Sequence, residues 1–177
     1  RDRDTGVTGI AYETVTSADG SMPLLAPMST IAGQLAIVVG SYHLLKHNKG
    51  KGVMIGKLDS IEPRVVTVIG AGVAGTQSIS KALDNHALVK VLDTSESKLQ
   101  QLESEFGKEN IEYILSTSDS VQSAINESDM VIGSVYVVGK EAPKVVSRDM
   151  LKSMNPGTVM VDVLSLIHIS EPTRPSR

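Results

Sequence analysis

Along this chain the spacing of apolar residues changes from one stretch to the next. In Ile10-Ala11-Tyr12-Glu13-Thr14-Val15 the pattern predicts a short strand, broken by the turn residues Ser17-Ala18-Asp19-Gly20. Pro23 and Pro27 bracket a loop. From Ser29 onward, Ile31, Leu35, Val38, Tyr42 and Leu45 recur at intervals of three and four. That spacing predicts a helix whose apolar stripe serves as core or subunit interface. Its expected end is Asn48-Lys49-Gly50, where Asn and Gly suit a helix C-terminus. Gly50, Gly52 and Gly56 then make a permissive loop up to Pro63.

From Arg64 the texture is different. Val65-Val66-Thr67-Val68-Ile69 is a near-continuous β-branched run, as expected of a strand buried on both faces. The pattern then predicts a helix over 73–84, a strand over 88–92, and a helix over 95–106 opened by Ser and Thr caps. A strand over 111–115 follows, then a helix over 118–126 and a strand over 130–133. A short helix over 148–154, the turn Asn155-Pro156-Gly157 and a strand over 158–163 complete the series. Strands alternating with helices at this spacing predict an α/β fold, a doubly wound parallel sheet of Rossmann type.

Composition narrows the partners. The 177 residues carry a net charge of −3 and present no basic face, which argues against nucleic acid or an anionic membrane as partner. No apolar run reaches the ~18 residues of a membrane span. There is no Cys, so disulfides, thiolate metal sites and a Cys nucleophile are excluded. With four Tyr, one Phe and no Trp, the core must be aliphatic. The opening Arg1-Asp2-Arg3-Asp4 reads as the middle of a longer chain.

The chemistry is concentrated at Gly70-Ala71-Gly72-Val73-Ala74-Gly75. Alone, G-x-G-x-x-G is a weak pattern. Here it follows a β-branched strand, opens a helix, and is matched by an acidic residue, Asp93, 23 positions after Gly70. Gly70 permits the tight turn, Gly72 lets the backbone approach a diphosphate, and Gly75 lets the helix pack close to the strand. The phosphates would sit on free N–H groups at the positive end of a helix dipole. Asp93 would accept the adenosine ribose hydroxyls and repel a 2′-phosphate, which points to NAD rather than NADP. The competing reading makes the glycines structural turns and Asp93 a cap for the next helix.

These residues resemble alanine dehydrogenases over about Gly6 to Val163. The resemblance rests on Ile10-Ala11-Tyr12-Glu13-Thr14-Val15, Pro23-Leu24-Leu25-Ala26-Pro27-Met28-Ser29, Ala32-Gly33, the glycine motif with Val68 and Ile69, Val91-Leu92-Asp93, Ser128-Asp129-Met130-Val131-Ile132-Gly133 and Ala142-Pro143-Lys144. The Pro-Leu-Leu-Ala-Pro-Met-Ser segment is more specific than the glycine motif. The related nicotinamide nucleotide transhydrogenases are less similar there.

The resemblance implies NAD-dependent oxidative deamination of L-alanine to pyruvate and ammonia, by a cytoplasmic homo-hexamer. It implies cofactor contacts at Ser29, at Val73 and Ala74 in the glycine turn, and at Asp93. It further implies Lys98 beside the adenosine, Ser116 on the adenine side, and Val135 and Tyr136 along the nicotinamide half. It also implies that the substrate-binding Arg and Lys and the catalytic His belong to a preceding domain, and a catalytic Asp to a segment after Val163. No catalytic residue is therefore expected within this chain, and the fragment alone is expected to be inactive.

The chain departs from the family at Val138, Lys140 and Glu141, and near 108–110, where the loop is one residue longer. It departs more sharply from Leu164 onward, where the sequence reads like a non-native tail. The expected division is a substrate-domain remnant over 1–27, a connecting helix and Gly-rich loop over 28–61, the NAD-binding unit over 62–163 and the tail over 164–177.

Several residues carry a plainer reading. Ser29 is a natural N-cap, Lys98 a solvated helix residue, and Tyr136 a ring packed under the cleft. His43 and His47 are spaced four apart, but no third ligand is evident, so no metal site is expected. His86 is expected at the surface, and the basic turn 46–51 solvated. A second functional reading is a non-catalytic NAD(H)-binding module of a transhydrogenase-like protein, passing hydride to a partner subunit.

Overall fold

In the computed structural model, which describes residues 6, 8–136 and 145–163, the β-branched run becomes the central strand of a sheet. This strand, β1 (Val65–Ile69), lies between β2 (Leu88–Asp93) and β4 (Met130–Gly133). β3 (Ile111–Leu115) flanks β2, and β5 (Val159–Asp162) flanks β4. All pairings are parallel, and Val66 sits between Val89 and Met130. A strand with neighbours on both sides and layers on both faces has no polar surface to present, which is why all its residues but Thr67 are apolar.

Helices α1 (Ala26–Leu44), α2 (Val73–Asp84) and α3 (Glu96–Phe106) cover one face, over a core that includes Val66, Val68, Val89, Val91 and Ile132. Helices α4 (Ser118–Glu127) and α5 (Arg148–Ser153) cover the other, against Ile69, Leu92 and Val131. The strand order reverses at the β1/β4 boundary. Crossovers therefore leave on opposite faces there and open a crevice at the strands' C-terminal ends.

Under α4 the strand's single polar side chain is fully buried. The Thr67 hydroxyl lies 2.6 Å from Ser128 Oγ, and Ser128 donates onward to the Ala124 carbonyl at 2.6 Å. Since Ser128 spends its one proton on Ala124, Thr67 is the donor in the first bond. Next to Ser128, at the strands' N-terminal end, Lys51 Nζ reaches Asp129 Oδ1 at 2.7 Å, with both side chains under a fifth exposed. The basic turn is thus solvated only in part, because Asp129 gives one of its cations a half-buried partner.

Two expectations fail near the start. The segment 10–15 is not a strand: Tyr12–Thr14 forms a single 3-10 turn, and Ile10 is 80% exposed. The Ala11 carbonyl accepts both the Thr14 amide and the Thr14 hydroxyl, so local bonds replace a ladder. The first long helix also begins earlier than Ser29, at Ala26. Pro27 is accommodated in its first turn, where a missing N–H costs nothing. The helix ends at Leu44, and the chain continues through a 3-10 turn at Lys46–Asn48.

The face that α1 buries separates the two readings of its apolar stripe, leaving the core reading aside. Gly33, Ala36, Ile37, Gly40 and Leu44 point inward. The expected stripe points out: Ile31 is 61% exposed, Leu35 52%, Val38 53% and Tyr42 54%. This helix is apolar nearly all round, so periodicity alone selects no face. Close approach decides it. A Cβ at Gly33 would overlap the Ala74 carbonyl of α2, and one at Gly40 would lie 2.6 Å from Met130 Sδ. Only the small-residue side fits that near to its neighbours.

Candidate functional site

Where β1 ends, the chain must reverse into α2 within a few residues. Gly70 takes φ +97°, a left-handed value that other residues resist. Ala71 is fully buried, Gly72 caps α2 without a side-chain hydrogen bond, and Val73, Ala74 and Gly75 form the helix's first turn. Each glycine meets a different constraint. A Cβ on Gly75 would overlap the Gly70 carbonyl oxygen and lie 2.8 Å from Ser134 Oγ. A Cβ on Gly72 would have nothing within 4 Å. Packing therefore explains Gly75, whereas the open space over Gly72 fits a ligand that lies against the backbone.

The turn is held from both neighbouring strands. From the β2 side, Asp93 Oδ2 accepts the Ala71 N–H at 2.7 Å, and Asp93 Oδ1 accepts the Ser95 N–H at 2.9 Å. From the β4 side, the buried Ser134 hydroxyl lies 2.8 Å from the Gly70 carbonyl and 3.1 Å from that of Ile69. Ser134 was not among the expected site residues. The available signal was its place, a small polar residue just past a buried strand at the crevice. The helix after β2 is capped by Ser95, whose hydroxyl accepts the Lys98 N–H at 3.3 Å, so Asp93 shares the capping of that turn.

The remaining expected residues surround this turn unevenly. The Ser116 N–H donates to the Asp93 carbonyl at 2.9 Å, so Ser116 lies directly beside Asp93 at the end of β3. Lys98 is on the first turn of α3, its ammonium 3.4 Å from Gln101 Oε1. Val135 and Tyr136 follow β4. Val135 packs toward α4 and α5, whereas Tyr136 is 46% exposed, so its ring is not packed under the cleft. Ser29 is not an N-cap. It is the fourth residue of α1, its N–H donates to the Leu25 carbonyl, and its hydroxyl has no partner among the described residues. Ser29 precedes Gly33 by four residues on the same helix side, a turn closer to the N-terminus of α1. Val138, Lys140, Glu141, the tail from Leu164 and His168 lie outside the described residues.

His43 and His47 both lie beside Tyr42. Each ring packs edge-on against Tyr42, at centroid distances of 5.4 and 5.7 Å. His86 is exposed at φ +58°. Among the described residues no group of three His, Cys, Asp or Glu comes together, and no helix is long and apolar enough to cross a membrane. Surface hollows of about 470 and 610 Å³ lie elsewhere, against β5 and under the 52–64 loop.

Comparison with known proteins gives a consistent result. The family described as alanine dehydrogenase/PNT, C-terminal domain, matches residues 36–165. An alanine dehydrogenase of Mycobacterium tuberculosis (strain ATCC 25618 / H37Rv) is 47% identical over 161 residues, covering 90% of this chain and 43% of that protein. One from Halomonas elongata is 44% identical over 160 residues, with the same coverages. This chain thus spans under half the length of these relatives. Among solved structures, an L-alanine dehydrogenase superposes with a TM-score of 0.83 at 35% identity, over 95% of this chain and 48% of that one. A transhydrogenase from Sinorhizobium meliloti gives 0.66 at 26%, over 77% and 40%.

Proposed function

Because the chain belongs to the alanine dehydrogenase/PNT C-terminal domain family, we propose that its protein oxidises L-alanine to pyruvate and ammonia with NAD. The observation that carries this reading is the first turn of α2, which has no side-chain cap, is open over Gly72 and has the Asp93 carboxylate on the preceding Ala71 N–H. Those residues fit a dinucleotide. The amides of Val73, Ala74 and Gly75 are main-chain donors at a positive helix end, where a diphosphate is favoured. An ionised carboxylate has about four lone-pair sites, so Asp93 retains capacity for two ribose hydroxyls beside its two main-chain bonds.

Bound NAD would supply the hydride acceptor. The chain's own part is to orient it. Glycine-turn amides fix the diphosphate, and Asp93 fixes the adenosine ribose and disfavours a 2′-phosphate. Ser116, beside Asp93, and Lys98 on α3 serve the adenosine half. Val135 and Tyr136 line the nicotinamide half, and Ser29, whose hydroxyl has no partner among the described residues, contacts the cofactor from α1. Holding both halves of the cofactor places the nicotinamide for hydride transfer, which gains rate from orientation rather than from new chemistry.

The same reading makes the protein a cytoplasmic homo-hexamer. The exposed apolar side of α1 supports an assembly, since a contiguous apolar stripe of this kind is what subunit contacts cover. The non-catalytic transhydrogenase-like reading is the weaker of the two, because both superposition and identity to the transhydrogenase are lower.

The test is NAD reduction by the full-length protein with L-alanine, followed at the NADH absorbance. Turnover is the expected result. NAD binding without turnover would favour the module that hands hydride to a partner. Replacing Asp93 with Ala should weaken NAD more than NADP, and equal loss would argue against a ribose contact.

A further inference from the structure

Gly70 C=O and Ala71 N–H are the two ends of one peptide group, and each is gripped by a different strand. Ser134 Oγ from the β4 side is 2.8 Å from the carbonyl oxygen. Asp93 Oδ2 from the β2 side is 2.7 Å from the nitrogen. This peptide stands directly before Gly72, in a turn otherwise held by the Gly70 N–H on the Leu92 carbonyl at 2.8 Å and the Thr76 hydroxyl 3.4 Å from the Ala71 carbonyl. Gly70 is free to take φ +97°, and a Cβ on Gly72 would meet no neighbour within 4 Å. Glycines lose the most freedom when ordered, so an unheld turn would have to be organised each time a ligand bound.

We propose that Asp93 and Ser134 act together as a clamp on the 70–71 peptide, making Asp93 a positioning residue for the diphosphate cradle as well as a ribose acceptor. The inference rests on the dinucleotide reading of this turn and adds a second job to its acidic residue. The Ala71 N–H, held by Asp93, is not part of the cradle. The amides of Val73, Ala74 and Gly75 are, and the fixed peptide sets their direction.

A ligand without an adenosine ribose separates the two jobs. Nicotinamide mononucleotide has one phosphate and no adenosine, so losing a residue that serves only the adenosine ribose removes no contact from it, and losing that residue's negative charge would favour its phosphate rather than weaken it. In the full chain, Asp93→Ala is expected to weaken the mononucleotide about tenfold, the usual scale for a hydrogen bond to a charged group. Asp93→Asn keeps a carbonyl oxygen that can accept from Ala71. It should recover most of the mononucleotide affinity while NAD stays weak. Ser134→Ala should weaken the mononucleotide as well.

Amide exchange gives a readout independent of any ligand. Ala71 should exchange faster in Asp93→Ala, with the amides of Val66 and Val68 unchanged. Unchanged mononucleotide affinity in Asp93→Ala, or unchanged Ala71 exchange, would overturn the clamp. If Asp93→Ala does not fold, Asp93→Asn and Ser134→Ala carry the same comparison. If the unaltered protein takes up neither NAD nor the mononucleotide, the dinucleotide reading falls, and Ala71 exchange still decides whether the clamp exists.

Discussion

Two glycines three residues apart should fail in opposite ways when replaced by alanine. At Gly72 the added methyl meets no heavy atom within 4 Å, and φ of −70° suits any residue. The folded state should therefore lose only the difference between Gly and Ala as helix N-caps, about 0.5 kcal/mol. Binding should suffer more. Main-chain amides hold phosphate oxygens at about 2.9 Å, closer than an intervening methyl permits. Lifting the diphosphate off two such donors, each worth roughly 1.5 kcal/mol or more, removes about 3 kcal/mol. That is about a hundredfold in affinity. At Gly75 the methyl would overlap the Gly70 carbonyl oxygen and crowd Ser134 Oγ, both fixed, so α2 must move off β1 at a cost of about 3 kcal/mol. Urea unfolding and calorimetric NAD titration of the two variants check both halves. Undiminished NAD binding by Gly72→Ala would refute the placement of a diphosphate on this turn. Undiminished stability of Gly75→Ala would refute the packing argument.

Other perturbations address other parts of the chain. Gly33→Ala gains about 1 kcal/mol of helix propensity but places a methyl over the Ala74 carbonyl and 2.9 Å from Gln77 Cβ. Overpacking costs about 1–3 kcal/mol, so urea unfolding should show a net loss, and a gain would refute the close approach of α1 and α2. Leu35→Asp, on the 52%-exposed side of α1, should leave circular dichroism unchanged and reduce the assembled mass in sedimentation equilibrium. An unchanged mass would exclude that face from the contact.

Lys90 ties β2 to α4 through Glu127 at 2.5 Å, with Glu112 at 3.5 Å. Burial opposes the Lys90 charge, but the Glu127 hydrogen bond and the fields of both carboxylates raise its pKa above 10.5 on balance. Hydrogen bonding to Lys90 holds Glu127 below 4.5. The depressed carboxylate contributes stability above pH 4.5 that is lost as pH falls through its folded value. The raised lysine contributes stability below pH 10.5 that is lost as pH rises through its own. Lys90→Met should therefore differ most from the unaltered protein near neutrality and converge with it in acid. The difference should be no more than about 1 kcal/mol, because Glu127 is open to screening water. A gap that persists in strong acid would place the effect in packing instead.

The sheet and the glycine turn were legible because their residues admit few alternatives. A β-branched run flanked by G-x-G-x-x-G can hardly be anything but a buried strand feeding a helix, and 73–84 is helical as expected. The orientation of α1 was not legible, because bulky and small apolar residues form two competing stripes. The close contacts of Gly33 and Gly40, which choose between them, exist only in three dimensions. Nor could spacing reveal that Ile10 to Val15 finds no ladder, since its pattern is a strand's and local hydrogen bonds satisfy it instead. Ser134 escaped notice for a related reason: its role depends on a carbonyl 64 residues earlier in the chain.

Thr67 solves a problem that an all-apolar central strand creates for itself. With hydrophobic layers above and below, β1 would bury its valines almost equally well after sliding one position along its neighbours, because each would exchange one greasy surface for the other. A hydroxyl breaks that symmetry. Shifted by one residue, Thr67 would face the aliphatic side beneath α2, and Ser128 would lose its donor in a place that water does not reach. One oxygen atom thereby favours the alignment that delivers Gly70, and everything it holds, to the same height as Asp93 and Ser134.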